Sequence, residues 1–278
     1  MVRLISERLQ KELGTPVVIE HKPGAGGTVG LDYLRNTRPD GLTLGMINLS
    51  AAANESIIRK KSFGILADFE PVGQYAWLAN ILILHPSHNA ANVAAFAAAL
   101  KQRPNTAFSS GGVGSPGHLA GELFRMRTGA PLTHVPYKGA PPAVTAVVAG
   151  EVAFMFATAS SAIAQVKGER VRALAVTTAE RLRQIPDVPT LAEAGFSDFN
   201  ITDWVGLVVP RGTPPEIRER LHRALGAAFA DAEVGERLRD ATILPAAKPL
   251  GPGEFGGFLR AEVDKWARVV REANIAQD

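Results

Sequence analysis

Apolar positions early in the chain alternate between two periods. Val2, Ile5, Leu9 and Leu13 are spaced as one face of a helix, and Gly14 stands where a C-cap glycine belongs. Residues 16–20 form a short β-branched run that predicts a strand, and a loop over 21–27 leads to a helix over 28–37. The turn signal Pro39-Asp40-Gly41 then precedes a buried strand over 42–47. Two more strands are predicted over 72–77 and 81–85.

The middle of the chain repeats one unit. A strand over 106–109 leads through a glycine-rich loop to a helix over 118–128. A second strand (133–137) precedes a helix opened by Pro141 and Pro142, which the first helical turn accepts. A third strand (152–156) leads to a short helix ending near Gly168, and a fourth strand covers 171–177. These strands are near-continuous apolar runs, as a sheet covered on both faces requires. The repetition predicts an α/β fold with mostly parallel, doubly wound sheets.

The tail changes character. One more strand (201–209) is followed by the breaker 210–214, then by helical patterns over 215–230, 232–240 and 253–274. Pro245, Pro249 and Pro252 separate the last two. Strands and helices, a complete α/β middle, and a return to helices describe one domain inserted in another. The boundaries expected are 1–83 plus 209–278 for the first lobe and 84–208 for the second, with a ligand cleft between them.

Composition narrows the function classes. There is no cysteine, so disulfides, thiolate metal sites and cysteine nucleophiles are excluded. Aromatics are 6% of residues, which predicts a core built mostly from Ala, Val, Leu and Ile. No apolar run approaches the ~18 residues of a membrane span. The 30 Lys and Arg against 27 Asp and Glu are scattered. They form no basic stripe with interleaved aromatics, so no nucleic-acid partner is expected. The one basic run, Arg59-Lys60-Lys61, reads as a solvated helix end.

The sharpest local motif is SSGGVGSPGH over 109–118, between a strand and a helix. Glycines admit close backbone approach, amides at a helix start favour an anion, and Ser109, Ser110 and Ser115 add hydroxyls. Three readings stand beside one another: a carboxylate or phosphate cradle, a structural turn, and a dinucleotide site. Gly112, Gly114 and Gly117 satisfy G-x-G-x-x-G, but Tyr137 and Lys138 stand where a dinucleotide site wants an acid. No cofactor is expected. The second glycine loop, with Gly24, Gly26 and Gly30, reads as a turn packing helix on sheet. Ser115 lacks the first glycine of a nucleophile elbow, and His118 is too near in sequence to be a remote base. His85 and His88 flank Pro86 and make no metal pair. Trp266 reads as core, and Trp204 as either core or cleft lining.

PVVIEHKPGAGG (16–27), RPDGLTLG (38–45), SSGGVGSPGHLAGELF (109–124), HVPYKGAPPA (134–143), VRALAVTTAERL (171–182), IPDVPTLAEAGF (185–196) and GTPPEI (212–217) occur in this order. Together they resemble the solute-binding receptors of tripartite tricarboxylate transporters, the Bug receptors. The resemblance implies a two-lobed periplasmic binding protein of type II (Venus flytrap) that captures a small carboxylate. Such a receptor delivers its ligand to membrane permease subunits, works as a monomer, and is not an enzyme.

By position, the implied ligand contacts are Ser50 and Asn54 in the loop after the first lobe's strand. In the second lobe they are Ser109, Ser110, Gly111, Gly112, Gly114, Ser115, Tyr137, Ala157 and Thr158. Ala157 stands where relatives often carry Asp, which removes a carboxylate from the wall. Asp203 at the second crossing is the acid that would meet an ammonium group instead. The resemblance also implies that the first strand of lobe 1 is absent from this chain, so residues 17–20 and 42–47 would flank an unpaired gap. A ligand-sensing effector domain and a doubly wound enzyme are the rival readings.

Overall fold

The computed structural model describes residues 1–22, 27–58, 60–197, 199 and 201–275. Gly24 and Gly26 of the second glycine loop and Arg59 of the basic run lie outside these residues. The chain divides into two compact units. Unit 1 is Met1–Trp77 with Trp204–Asp278, and unit 2 is Leu78–Asp203. The crossings fall at 77/78 and 203/204, where 83/84 and 208/209 were expected.

Unit 1 opens with α1 (Val2–Leu13), ended by Gly14 in the left-handed conformation at φ 69°, and α2 (Thr28–Arg35). Strand β1 (Gly45–Asn48) leads to α3 (Leu49–Ile57), α4 (Ile65–Asp68) and β2 (Phe69–Leu78). The chain then builds unit 2 from β3 (Asn80–Leu84), α5 (Val93–Lys101), β4 (Thr106–Ser110), α6 (Pro116–Thr128) and β5 (Leu132–Pro136). It continues through α7 (Ala140–Val148), β6 (Phe154–Thr158), α8 (Ala159–Lys167) and β7 (Arg172–Val176). Strand β8 (Asp203–Pro210) returns it to unit 1, followed by α9 (Pro215–Ala230), α10 (Ala232–Asp240), β9 (Ile243–Leu250) and α11 (Pro252–Glu272).

The unit 1 sheet has the order β1-β8-β2-β9, with β1 antiparallel to β8. Two expectations are corrected here. Residues 17–20 form no strand, and the strand expected over 42–47 begins at Gly45, so the two segments do not pair. A β-branched run makes a strand only where a neighbour supplies backbone partners, and Val18 is instead 83% exposed. The proline-rich interval between the last two helices is strand β9. It is an edge strand, the place in a sheet where prolines such as Pro245 and Pro249 are tolerated.

Helix α11 is locked to β8 through one buried carboxylate. Glu262 accepts the indole N–H of Trp204 at 2.8 Å and of Trp266 at 3.1 Å, and pairs with Lys265. Trp204 is therefore core and lines no open surface. The indoles supply the partners that a carboxylate removed from water requires.

The unit 2 sheet runs β5-β4-β6-β3-β7. Strands β4, β5 and β6 are mutually parallel, as predicted, but β3 is antiparallel to both β6 and β7. It follows β2 with only Ala79 between them, so no crossover helix carries the chain back before it pairs. One face of the sheet holds an aromatic core. Phe154 is in ring contact with Phe96, Phe108, Phe124 and Phe156, and Phe199 stacks on Phe156. The core as a whole is mostly Ala, Val, Leu and Ile, as composition predicts, with the phenylalanines gathered on this face.

Candidate functional site

The strand-to-helix turn after β4 is built around its glycines. Gly112 (φ 126°) and Gly114 (φ 74°) occupy backbone conformations that a side chain would strain. A Cβ at Gly117 would come within 2.5 Å of the Phe156 carbonyl oxygen, so glycine there seats the start of α6 on β6. Ser115 caps α6, its Oγ accepting from the His118 amide at 3.4 Å, and Pro116 fills the first turn.

The three serine hydroxyls expected to meet a ligand are engaged internally. Ser109 Oγ donates to the Ala143 carbonyl at 3.0 Å on the α7 face of the sheet, fully buried. Ser110 Oγ bonds Gly112 and lies 2.7 Å from His134 Nε2. Ser115 Oγ serves the cap. Alternation along β4 turns Ser109 and Ser110 to opposite faces, and each finds an internal partner. Ser115 also has no imidazole on its hydroxyl, so no nucleophile–base pair forms there.

Backbone amides remain. The Gly112 amide goes to Ser110 Oγ, Gly114 to His118 Nδ1 and Ser115 to the Gly112 carbonyl. Among the described residues, the amides of Gly111, Val113 and Gly117 have no partner. The segment 109–118 carries no Lys or Arg. Its positive character comes from N–H groups and the start of α6. The two histidines beneath it add none. Burial pushes His118 down to about 3, with His134 a smaller cause, and pushes His134 down to about 4.

The loop after β5 lies against this turn. The Tyr137 amide bonds the Ser110 carbonyl at 2.9 Å, and the Gly139 amide bonds the Gly111 carbonyl at 3.2 Å. A Cβ at Gly111 would come within 3.1 Å of the Gly139–Ala140 backbone. Tyr137 turns its hydroxyl to Glu151. Thr158, at the same end of the sheet, pairs its hydroxyl with Ser161 at 2.9 Å. Ala157 is fully buried and forms no open wall.

Ser50 and Asn54 are on α3, not in a loop, and both are buried in unit 1. Asp203 opens β8 and is buried and engaged. Sequence reasoning missed His134, and it weighed His118 only as a base. The spacing from Gly114 to His118 is one helical turn, which carried the missing signal. Among the described residues, no group of three His, Asp or Glu is arranged to hold a metal.

Residues 1–275 match the tripartite tricarboxylate transporter family receptor. The chain belongs to this family. Membership makes it a solute-binding receptor of such a transporter rather than an enzyme. Among relatives of this receptor is protein BugT of Bordetella pertussis, 34% identical over 275 residues, covering 98% of this chain and 84% of BugT. Rpa4515 of R. palustris, solved with adipate, is 30% identical with a TM-score of 0.86, covering 99% of this chain and 92% of that one. MatC of Rhodopseudomonas palustris, solved with malate, is 30% identical with a TM-score of 0.82, covering 97% and 92%.

Proposed function

We propose that this receptor captures a small dicarboxylate at the end of the unit 2 sheet formed by the 110–117 turn, the loop after β5 and Thr158. It works as a monomer in the periplasm and hands its ligand to the transporter's permease subunits. The observation that carries the ligand class is the trio of unpartnered amides, Gly111, Val113 and Gly117, beside a helix start in a segment without cations. Amide donors satisfy a carboxylate without the desolvation cost of a buried Lys or Arg. Two or three charge-assisted hydrogen bonds of about 1.5–3 kcal/mol each supply a large part of the ~8 kcal/mol that micromolar affinity needs. Family membership and relatives solved with malate and adipate support the same class.

Calorimetry with malate, succinate and adipate tests it, with amino acids as the contrast. Micromolar binding of at least one dicarboxylate is expected. Binding confined to amino acids would overturn the ligand class and return weight to Asp203 as the partner of an ammonium group. A sedimentation experiment tests the monomer.

A further inference from the structure

Beneath the glycine turn lie two imidazoles, His118 buried and His134 half-buried. The rings of His118 and His134 stack with centroids 3.8 Å apart and planes at 22°. The Gly114 amide donates to His118 Nδ1 at 3.1 Å. That bond requires an unprotonated Nδ1, so the ring's single proton sits on Nε2. Nε2 faces the Glu122 carboxylate at 3.9 Å, and Glu122 is held from the other side by Arg125 at 2.8 Å. His134 meets Ser110 Oγ, and Ser110 in turn bonds both the amide and the carbonyl of Gly112. Both left-handed glycines of the turn are thereby tied to the histidine stack.

We propose that His118 is the positioning residue of the receptor's ligand turn: it takes up the Gly114 amide and so leaves those of Gly111, Val113 and Gly117 for the carboxylate. A turn with two glycines at positive φ has many alternative conformations, and preorganised donors bind more tightly because they are not ordered at the moment of capture. Burial of the ring favours the neutral acceptor form that the bond needs. The proposal rests on the carboxylate-receptor reading.

Two variants separate positioning from mere packing. His118→Phe keeps the stack and the volume and removes the acceptor. His118→Asn restores a neutral short acceptor on a smaller side chain. The readouts are malate affinity by calorimetry, melting temperature, and hydrogen exchange of the Gly114 amide in the unliganded protein. The Phe variant is expected to lose tenfold or more in affinity and to exchange Gly114 faster. The Asn variant is expected to recover most of both, even if its melting temperature is lower.

Unchanged affinity and exchange in the Phe variant would overturn the proposal. So would equal losses in both variants that track their melting temperatures. If the unaltered receptor binds no dicarboxylate, the ligand reading has failed. Gly114 exchange then decides the positioning role by itself, and slow exchange in the Phe variant overturns it.

Discussion

At the residue scale, glycine identity and histidine burial carry the experimentally accessible consequences. Gly117→Ala drives a Cβ against a backbone oxygen that cannot rotate away, whereas Gly129→Ala meets nothing within 4 Å and only strains a left-handed C-cap. Urea unfolding should show a loss of about 1–3 kcal/mol for the first and about 1 kcal/mol for the second. Carboxylate affinity should fall only for Gly117→Ala, which displaces the start of α6. The histidines set a pH dependence. Their ordinary value is 6.5, lowered in the fold to about 3 for His118 and about 4 for His134. Below pH 6.5 the unfolded chain takes up protons that the fold refuses, so stability is full above that point and declines as pH falls toward 4. The slope is about 1.4 kcal/mol per pH unit for each histidine. Urea midpoints across that range check this, and His134→Gln should show the shallower slope.

At the element scale, two features of unit 1 matter. Glu262 satisfies two indole N–H groups at once, so Glu262→Ala leaves both buried without an acceptor. A loss of about 3–5 kcal/mol is expected, as for other broken buried networks, with Glu262→Gln far milder because an amide oxygen can still accept. Thermal unfolding of the pair tests it. The second feature is the edge strand β1. Among the described residues, the large exposed apolar side chains are Val18, Val29, Tyr33, Leu42 and Met46, all within the first part of unit 1. An open edge beside apolar side chains invites pairing between chains. Met46→Lys together with Leu42→Lys should lower concentration-dependent light scattering while leaving the melting temperature unchanged.

At the scale of the whole molecule, unit 2 is one continuous stretch with its own aromatic core, while unit 1 is assembled from two stretches. The segment 78–203 expressed alone should fold cooperatively, with near-ultraviolet circular dichroism lost in a single urea transition.

The sequence by itself determined the α/β class, both ends of α9 and α10, the cap of α1 at Gly14 and the glycine turn after β4. These are set by local periodicity, proline and glycine, which act over a few residues. The ordered motifs also pointed to the receptor family. Only the tertiary structure decided where the polar groups of the turn find their internal partners. Ser109, Ser110 and Ser115 look like ligand hydroxyls in the sequence, yet their partners, Ala143, His134 and the helix amide, are fixed by packing across neighbouring elements. The same holds for residues 17–20, a strand by propensity with no neighbour to pair with, and for β9, whose prolines are tolerated because it lies at an edge. Composition counted few aromatics, but folding gathered phenylalanines onto one face of one sheet, and a count carries no information about where side chains meet.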